Sequence, residues 1–159
     1  MKAFLKKHRF KIVFTLLAII FIYVCFYMLW IHVPYATKQN EMTSIRNEIC
    51  QEHHYQYKNV FYEYNSDQTY YILKVKKKKV KYVVYDEKLK YVESFDKKII
   101  SKNQIKASFN QKYQQNPQRI ELGYENGMLV YVATYRQDNV LIYAYYSASN
   151  GEFIKAYKL

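Results

Sequence analysis

"IVFTLLAIIFIYVCFYMLWIHV", residues 12–33, carries no formal charge apart from the His32 imidazole, and the reading of every later residue depends on what this stretch is. At about 1.5 Å per residue a helix of this length reaches roughly 33 Å, enough to cross a hydrocarbon core of about 30 Å. A helix buried in a protein core is usually shorter and keeps a polar stripe; this one is apolar all round, which predicts a transmembrane anchor over 12–33. Lys2, Lys6, Lys7, Arg9 and Lys11 precede it with no acidic residue among them. Positive flanks stay in the cytoplasm, so residues 1–11 read as a cytoplasmic basic tail and everything after the span as extracytoplasmic. Cleavage as a signal peptide is disfavoured, because the apolar run is too long for one and Pro34 stands where a small residue is wanted. Tyr27, Trp30 and Tyr35 fit an aromatic belt at the outer interface, and Pro34 is expected to end the helix.

Cys25 falls inside the span and Cys50 well beyond it, so the two cannot pair. An exported domain without a disulfide suits the outer face of a bacterial cell better than a eukaryotic secretory route. Heavy use of Lys, Asn, Ile, Tyr and Phe, whose codons are AT-rich, points to a low-GC Gram-positive bacterium. The expected location is the cell membrane, single pass, with the C-terminal part outside.

That topology governs the reading of "ILKVKKKKVKYVVYD", residues 72–86, in a chain of formal charge +12. Outside the cell, nucleic acid is a poor partner whatever the charge. Tyr71, Leu73 and Val75 are read as alternating with polar or exposed positions, as are Tyr82 and Val84 after the run, which is the pattern of two strands. Residues 76–79 then form a hairpin tip, where mutual repulsion is tolerable because the tip is solvated. A specific anion contact through Lys74, Lys76, Lys77, Lys78, Lys79 and Lys81 is the sharper alternative. Five of the twenty-five Lys and Arg precede residue 12 and none of the thirteen Asp and Glu does, so the rest of the chain is left at +7. Near anionic lipid each basic residue is worth about 1 kcal/mol at short range.

An internal repeat follows. Adding sixty to a residue number repeatedly lands on a similar residue: Ile45 and Ile105, Ile49 and Phe109, Val60 and Ile120, Tyr64 and Tyr124, Tyr71 and Tyr131, Val75 and Tyr135, Val80 and Val140, Tyr85 and Tyr145. Beyond the second hairpin the offset becomes sixty-two, matching Tyr91 and Val92 to Phe153 and Ile154. Each copy reads as a helix followed by strands. Met42, Ile45, Ile49 and His53 make one apolar stripe. Ser101 with Gln104 is a capping-box signature; Ile105, Phe109 and Tyr113 continue the second stripe until Asn116 and Pro117 stop it. Strands are predicted at 58–64, 69–76, 79–85 and 89–95, and at 118–125, 128–136, 139–147 and 152–157, with Asn126-Gly127 and Asn150-Gly151 as turns. The fold class is therefore α+β: an N-terminal transmembrane helix, then two repeats over 36–97 and 98–159, each a helix packed on a small antiparallel sheet. The twenty tyrosines read as sheet core and cross-strand pairs rather than as a ligand groove.

Groups able to do chemistry are few. His53 and His54, with Glu48 and Glu52 nearby, are adjacent on a helix and point about 100° apart, so they make a poor metal site. Cys50 is a lone thiol, better read as a half-buried helix residue than as a nucleophile. There is no Gly-rich phosphate loop, no serine in a nucleophile elbow and no convergent carboxylate pair. No enzyme activity and no cofactor are expected.

The short basic tail, the anchor and two helix-then-sheet copies ending in "YAYYSASNGEFIKAY" (residues 143–157) resemble the TseB (YpmB-like) family of low-GC bacteria. The likeness runs from the anchor to Leu159 and rests on strand patterns such as "TYYILKV" and "MLVYVATYR". In the first copy residues 86–88 stand where a PepSY unit would carry Asn-Gly, a departure from the pattern. The resemblance implies PepSY-like or cystatin-like repeats and a non-enzymatic regulator of cell-wall elongation that binds a penicillin-binding transpeptidase; it carries over no catalytic residue. Two other readings stand beside it: a binder of anionic wall polymer such as teichoic acid, or of anionic lipid, through the basic hairpin; and a PepSY-like protease inhibitor.

Overall fold

The computed structural model describes residues 2–159, with side chains from Phe10 onward. The side chains of Lys2, Lys6, Lys7 and Arg9, in the expected basic tail, lie outside the described residues. The architecture is α+β, an apolar N-terminal helix and two four-stranded antiparallel sheets. Two compact units divide the chain, residues up to Ile45 and Arg46–Leu159.

Helix α1 (Lys2–Tyr27) passes into a π turn (Met28–His32) and then into α2 (Val33–Glu52), which from Arg46 onward belongs to the second unit. One N-terminal helix is long and apolar enough to cross a membrane, and Phe14, Ile22 and Trp30 on it are 75%, 67% and 71% exposed. Pro34 does not end the helix. A proline lacks an N–H and crowds the carbonyl four residues back; the wider turn just before it, where the Val33 N–H bonds to the Met28 carbonyl, accommodates both defects. The first apolar stripe is accordingly the far end of a longer helix rather than an element of its own.

In the second unit, β1 (Gln56–Asn65), β2 (Thr69–Lys76), β3 (Val80–Asp86) and β4 (Tyr91–Phe95) form one meander. Helix α3 (Lys102–Tyr113) follows, and β5 (Arg119–Glu125), β6 (Met128–Gln137), β7 (Val140–Ser147) and β8 (Phe153–Lys158) form the second. The punctuation is chemical. The Ser101 hydroxyl accepts the Gln104 N–H while the Ser101 N–H donates to Gln104 Oε1, starting α3 with a capping box. Asn126 and Gly127 both take positive φ, 49° and 75°, the twist that a two-residue hairpin needs. In the β3–β4 turn, where Asn-Gly is missing, one Asp86 carboxylate oxygen accepts both the Lys88 and Lys90 N–H groups at 2.9 Å. An aspartate thus supplies the turn from its side chain.

Strand partners refine the repeat. Tyr71 lies opposite Tyr85 and Glu63, whereas Tyr131 lies opposite Tyr146 and Leu122. With the central strands set at an offset of sixty, β3 and β7 match at sixty-one and the upper parts of β1 and β5 at fifty-nine. Turn length is the cause: three residues separate Lys76 from its partner Val80, and four separate Arg136 from Leu141. Because strand side chains alternate, a one-residue slip reverses the face. Tyr145, paired by number with Tyr85, therefore sits on the opposite side, and the buried counterpart of Tyr85 is Tyr146.

One hydrophobic cluster joins both sheets. Tyr70, Ile72, Tyr82 and Val84 from the first meet Leu122, Tyr124, Tyr131 and Tyr146 from the second and Ile105 and Phe109 from α3. The other face of the first sheet buries Leu73, Val75, Val83 and Tyr85, with the His53 ring 5.4 Å from that of Tyr85 and the Arg46 guanidinium 4.9 Å over Tyr57. Ile49 is the buried residue of α2.

The sheets approach closely at Gly123, whose absent Cβ would lie 2.7 to 2.9 Å from the ring of Tyr64. Gly123→Ala is expected to lower stability by about 1–3 kcal/mol through overpacking, read as a fall in thermal midpoint. Adding Tyr64→Ala should make the Gly123→Ala step close to neutral, since the clash has been removed.

Candidate functional site

A lysine-rich tip follows from the β2–β3 hairpin. Lys74 and Lys76 lie on β2 and Lys81 on β3; residues 77–79 make the turn, with the Lys77 N–H donating to the Lys79 carbonyl. Alternation distributes the six expected residues over both faces instead of converging them. Lys74 stands 5.6 Å over the Tyr82 ring on the face turned to the second sheet. Lys77 and Lys81 stand 5.7 and 5.5 Å over Tyr55. Lys79 is ion-paired with Asp96, while Lys76 and Lys78 are exposed.

Three further residues complete this end of the molecule, and the sequence reading passed over all of them. Asp96, Lys97 and Lys98, in the segment leaving β4, border an open depression of about 310 Å³ with Lys74, Val80 and Tyr82. Asp96 also borders a second depression of about 260 Å³ with Lys77, Lys78, Lys79 and Lys81. Lys97-Lys98 was visible as a dipeptide, but it falls at the expected boundary between the copies, where charge suits a linker. Only the antiparallel return of β4 along β3 brings it to the hairpin: Phe95, one residue before Asp96, lies opposite Tyr82.

A second polar cluster joins the two sheets near Gly123. The Tyr64 hydroxyl donates to Glu125 Oε1 at 2.6 Å, and Lys155 Nζ lies 2.6 Å from Oε2 of the same carboxylate. The Tyr124 hydroxyl donates to Glu93 at 2.9 Å, and the Tyr131 hydroxyl to the Ile100 carbonyl at 2.9 Å. These bonds satisfy hydroxyls whose rings are core, as buried tyrosines require. Tyr85 and Tyr146 are the exceptions, their hydroxyls buried without a hydrogen-bond partner; Tyr55 is close enough to push the Tyr85 phenol further up, yet not in bonding geometry.

Cys25 and Cys50 are both free thiols. Burial pushes the Cys50 thiol up, against the weaker pull of Arg46, which reduces its thiolate fraction at neutral pH. His53 Nε2 is 4.0 Å from Glu52, and His54 takes a positive φ of 53° in the turn after α2. Among the described residues no group of three or more His, Cys, Asp or Glu side chains is placed to hold a metal ion.

Comparison with protein-family models, with curated proteins and with solved structures finds no match for this chain.

Burial raises the phenols of Tyr64, Tyr85 and Tyr131, and raises those of Tyr124 and Tyr146 from 10.0 to about 12. An acid whose pKa is higher folded than unfolded keeps its proton better in the native state. The stability from these groups is therefore complete below the unfolded value near 10 and is lost as pH rises towards 12. Alkaline unfolding should begin above about pH 10, with a class of tyrosines ionising only as the fold is lost, followed by tyrosinate absorbance beside circular dichroism. Tyr146→Phe deletes a hydroxyl that makes no bond and is expected to be neutral or stabilising by up to about 1 kcal/mol.

Proposed function

We propose that the chain is a membrane-anchored, non-enzymatic regulator of cell-wall elongation, related to the TseB (YpmB-like) family, which acts outside the cell by binding a penicillin-binding transpeptidase. The observation that carries this reading is the order of parts: one N-terminal helix apolar enough to cross a membrane, then two four-stranded meanders of identical strand order. That order supports the resemblance drawn from the anchor and the strand motifs, and with it the finer division into PepSY-like or cystatin-like repeats over 36–97 and 98–159. In this reading the span 12–33 leaves the sheets on the side where wall synthases work, in a low-GC Gram-positive bacterium.

The surface best suited to a protein partner is the outer face of the second sheet. Tyr143 and Tyr145 are half-buried there and Tyr157 is 52% exposed. Tyr145 and Tyr157 meet edge to face at 5.9 Å, and Lys155 Nζ lies 4.6 Å over Tyr145. Tyrosines held rigid by such neighbours offer large contact area at little entropic cost, which is why interfaces favour them. Beside this face β8 is an edge strand, with Ile154 41% exposed.

A photo-crosslinking amino acid at Tyr157 is expected to trap a protein that also labels with fluorescent penicillin, whereas the same group at Asn103 on α3 should not. Protease added to intact spheroplasts should digest the sheets. Protection from that protease would reverse the topology. Accessible sheets with no penicillin-labelled adduct from Tyr143, Ile154 or Tyr157, and unchanged cell length on deletion, would remove the transpeptidase as partner.

A further inference from the structure

The basic end of the first sheet has features that a solvated hairpin tip alone does not require. Seven ammonium groups, those of Lys74, Lys77, Lys78, Lys79, Lys81, Lys97 and Lys98, border two depressions that meet at one carboxylate, Asp96. A tip needing only water would gain by spreading these charges. Instead the fold returns Lys97 and Lys98 to the hairpin through the β3–β4 pairing and leaves them exposed.

The type of donor limits the ligand. Among the described residues no arginine borders either depression, so the planar fork that grips a carboxylate in a fixed orientation is not among the donors there. Lysine binds phosphate as a point charge and tolerates many geometries. Aromatic rings beneath Lys74, Lys77 and Lys81 hold three of the stems without neutralising them. The depressions open on opposite faces of the sheet end and meet at the carboxylate between them, which suits a chain bearing regularly spaced anions, able to pass from one to the other, rather than a single phosphate group. A bilayer, being flat, would meet the tip but not the depression beside Tyr82.

We propose that the two lysine-lined depressions around Asp96 form one track for a linear phosphodiester polymer. The binding is independent of the transpeptidase contact proposed above; only the presence of such a polymer rests on the extracytoplasmic placement.

Full-length protein in an uncharged detergent, mixed with fluorescent poly(glycerol phosphate), tests this by anisotropy across a salt series. Binding to a flexible polyanion weakens with salt by about 0.7 logarithmic units per tenfold change for each phosphate contacted. Lys74→Gln/Lys97→Gln/Lys98→Gln should therefore flatten the slope by about 2 and lower low-salt affinity at least tenfold, and Lys77→Gln/Lys78→Gln by about 1.4 in slope. Lys88→Gln/Lys90→Gln, in the β3–β4 turn, removes as much charge as the hairpin pair and should change little. Thermal midpoints equal to that of the unaltered chain show that each variant is folded. An equal loss in the turn variant would reduce the effect to net charge and overturn the proposal. So would equal binding of poly-glutamate, or capture by vesicles of anionic phospholipid with none by the polymer. Failure here with an intact penicillin-labelled adduct at Tyr157 would reject the track and leave the transpeptidase reading standing.

Discussion

About fifty residues of helix and meander bury too little surface to be stable alone, and each sheet here relieves that constraint by using the other as part of its core. The hinge of this arrangement is a side chain laid on bare backbone. Tyr64 closes over Gly123, and its hydroxyl reaches a carboxylate already held by Lys155. The same approach brings Tyr70 to within 4.9 Å of Tyr124, ring edge to ring face, and lets Tyr124 reach Glu93. Apolar rings supply the area and their hydroxyls keep the junction in register. A core built from leucine would supply only the first.

Much of this was legible in the sequence because local chemistry fixes it. The strand-forming runs and the turn residues between them are clear enough that the strand bounds could be placed within a residue or two, and Ser101 with Gln104 announced the start of α3. Four matters were not legible, for reasons of distance or context. Pro34 read as a stop because the π turn that accommodates it leaves no mark in composition. The pairing of Tyr85 with Tyr145 failed because one extra turn residue changes which face a side chain occupies. Tyr64 and Gly123 carry no shared signal; each is ordinary until the sheets meet. Lys97 and Lys98 were passed over because their neighbours in space, Lys74 and Tyr82, are far away in sequence.

The functional reading inherits this division. The apolar N-terminal helix and the sheets come from strong local patterns, and the proposed regulator rests on their order. The proposed polymer track rests on the part that only folding assembles, a β4 return that places two lysines beside a hairpin. The two surfaces lie on different sheets, the aromatic face on the second and the basic end on the first, so one domain could hold a protein and a polymer together.

Open strand edges carry a hazard that the charge pattern answers. β8 ends its sheet with backbone groups free along one side and with Phe153 and Ile154 showing, a template on which copies of the chain could stack. In the proposed membrane placement, copies confined to two dimensions would meet often, which sharpens the risk. Lys158 on that strand, and the surplus positive charge of the whole unit, make such stacking repulsive. Self-association is thereby discouraged while a partner of opposite sign remains welcome.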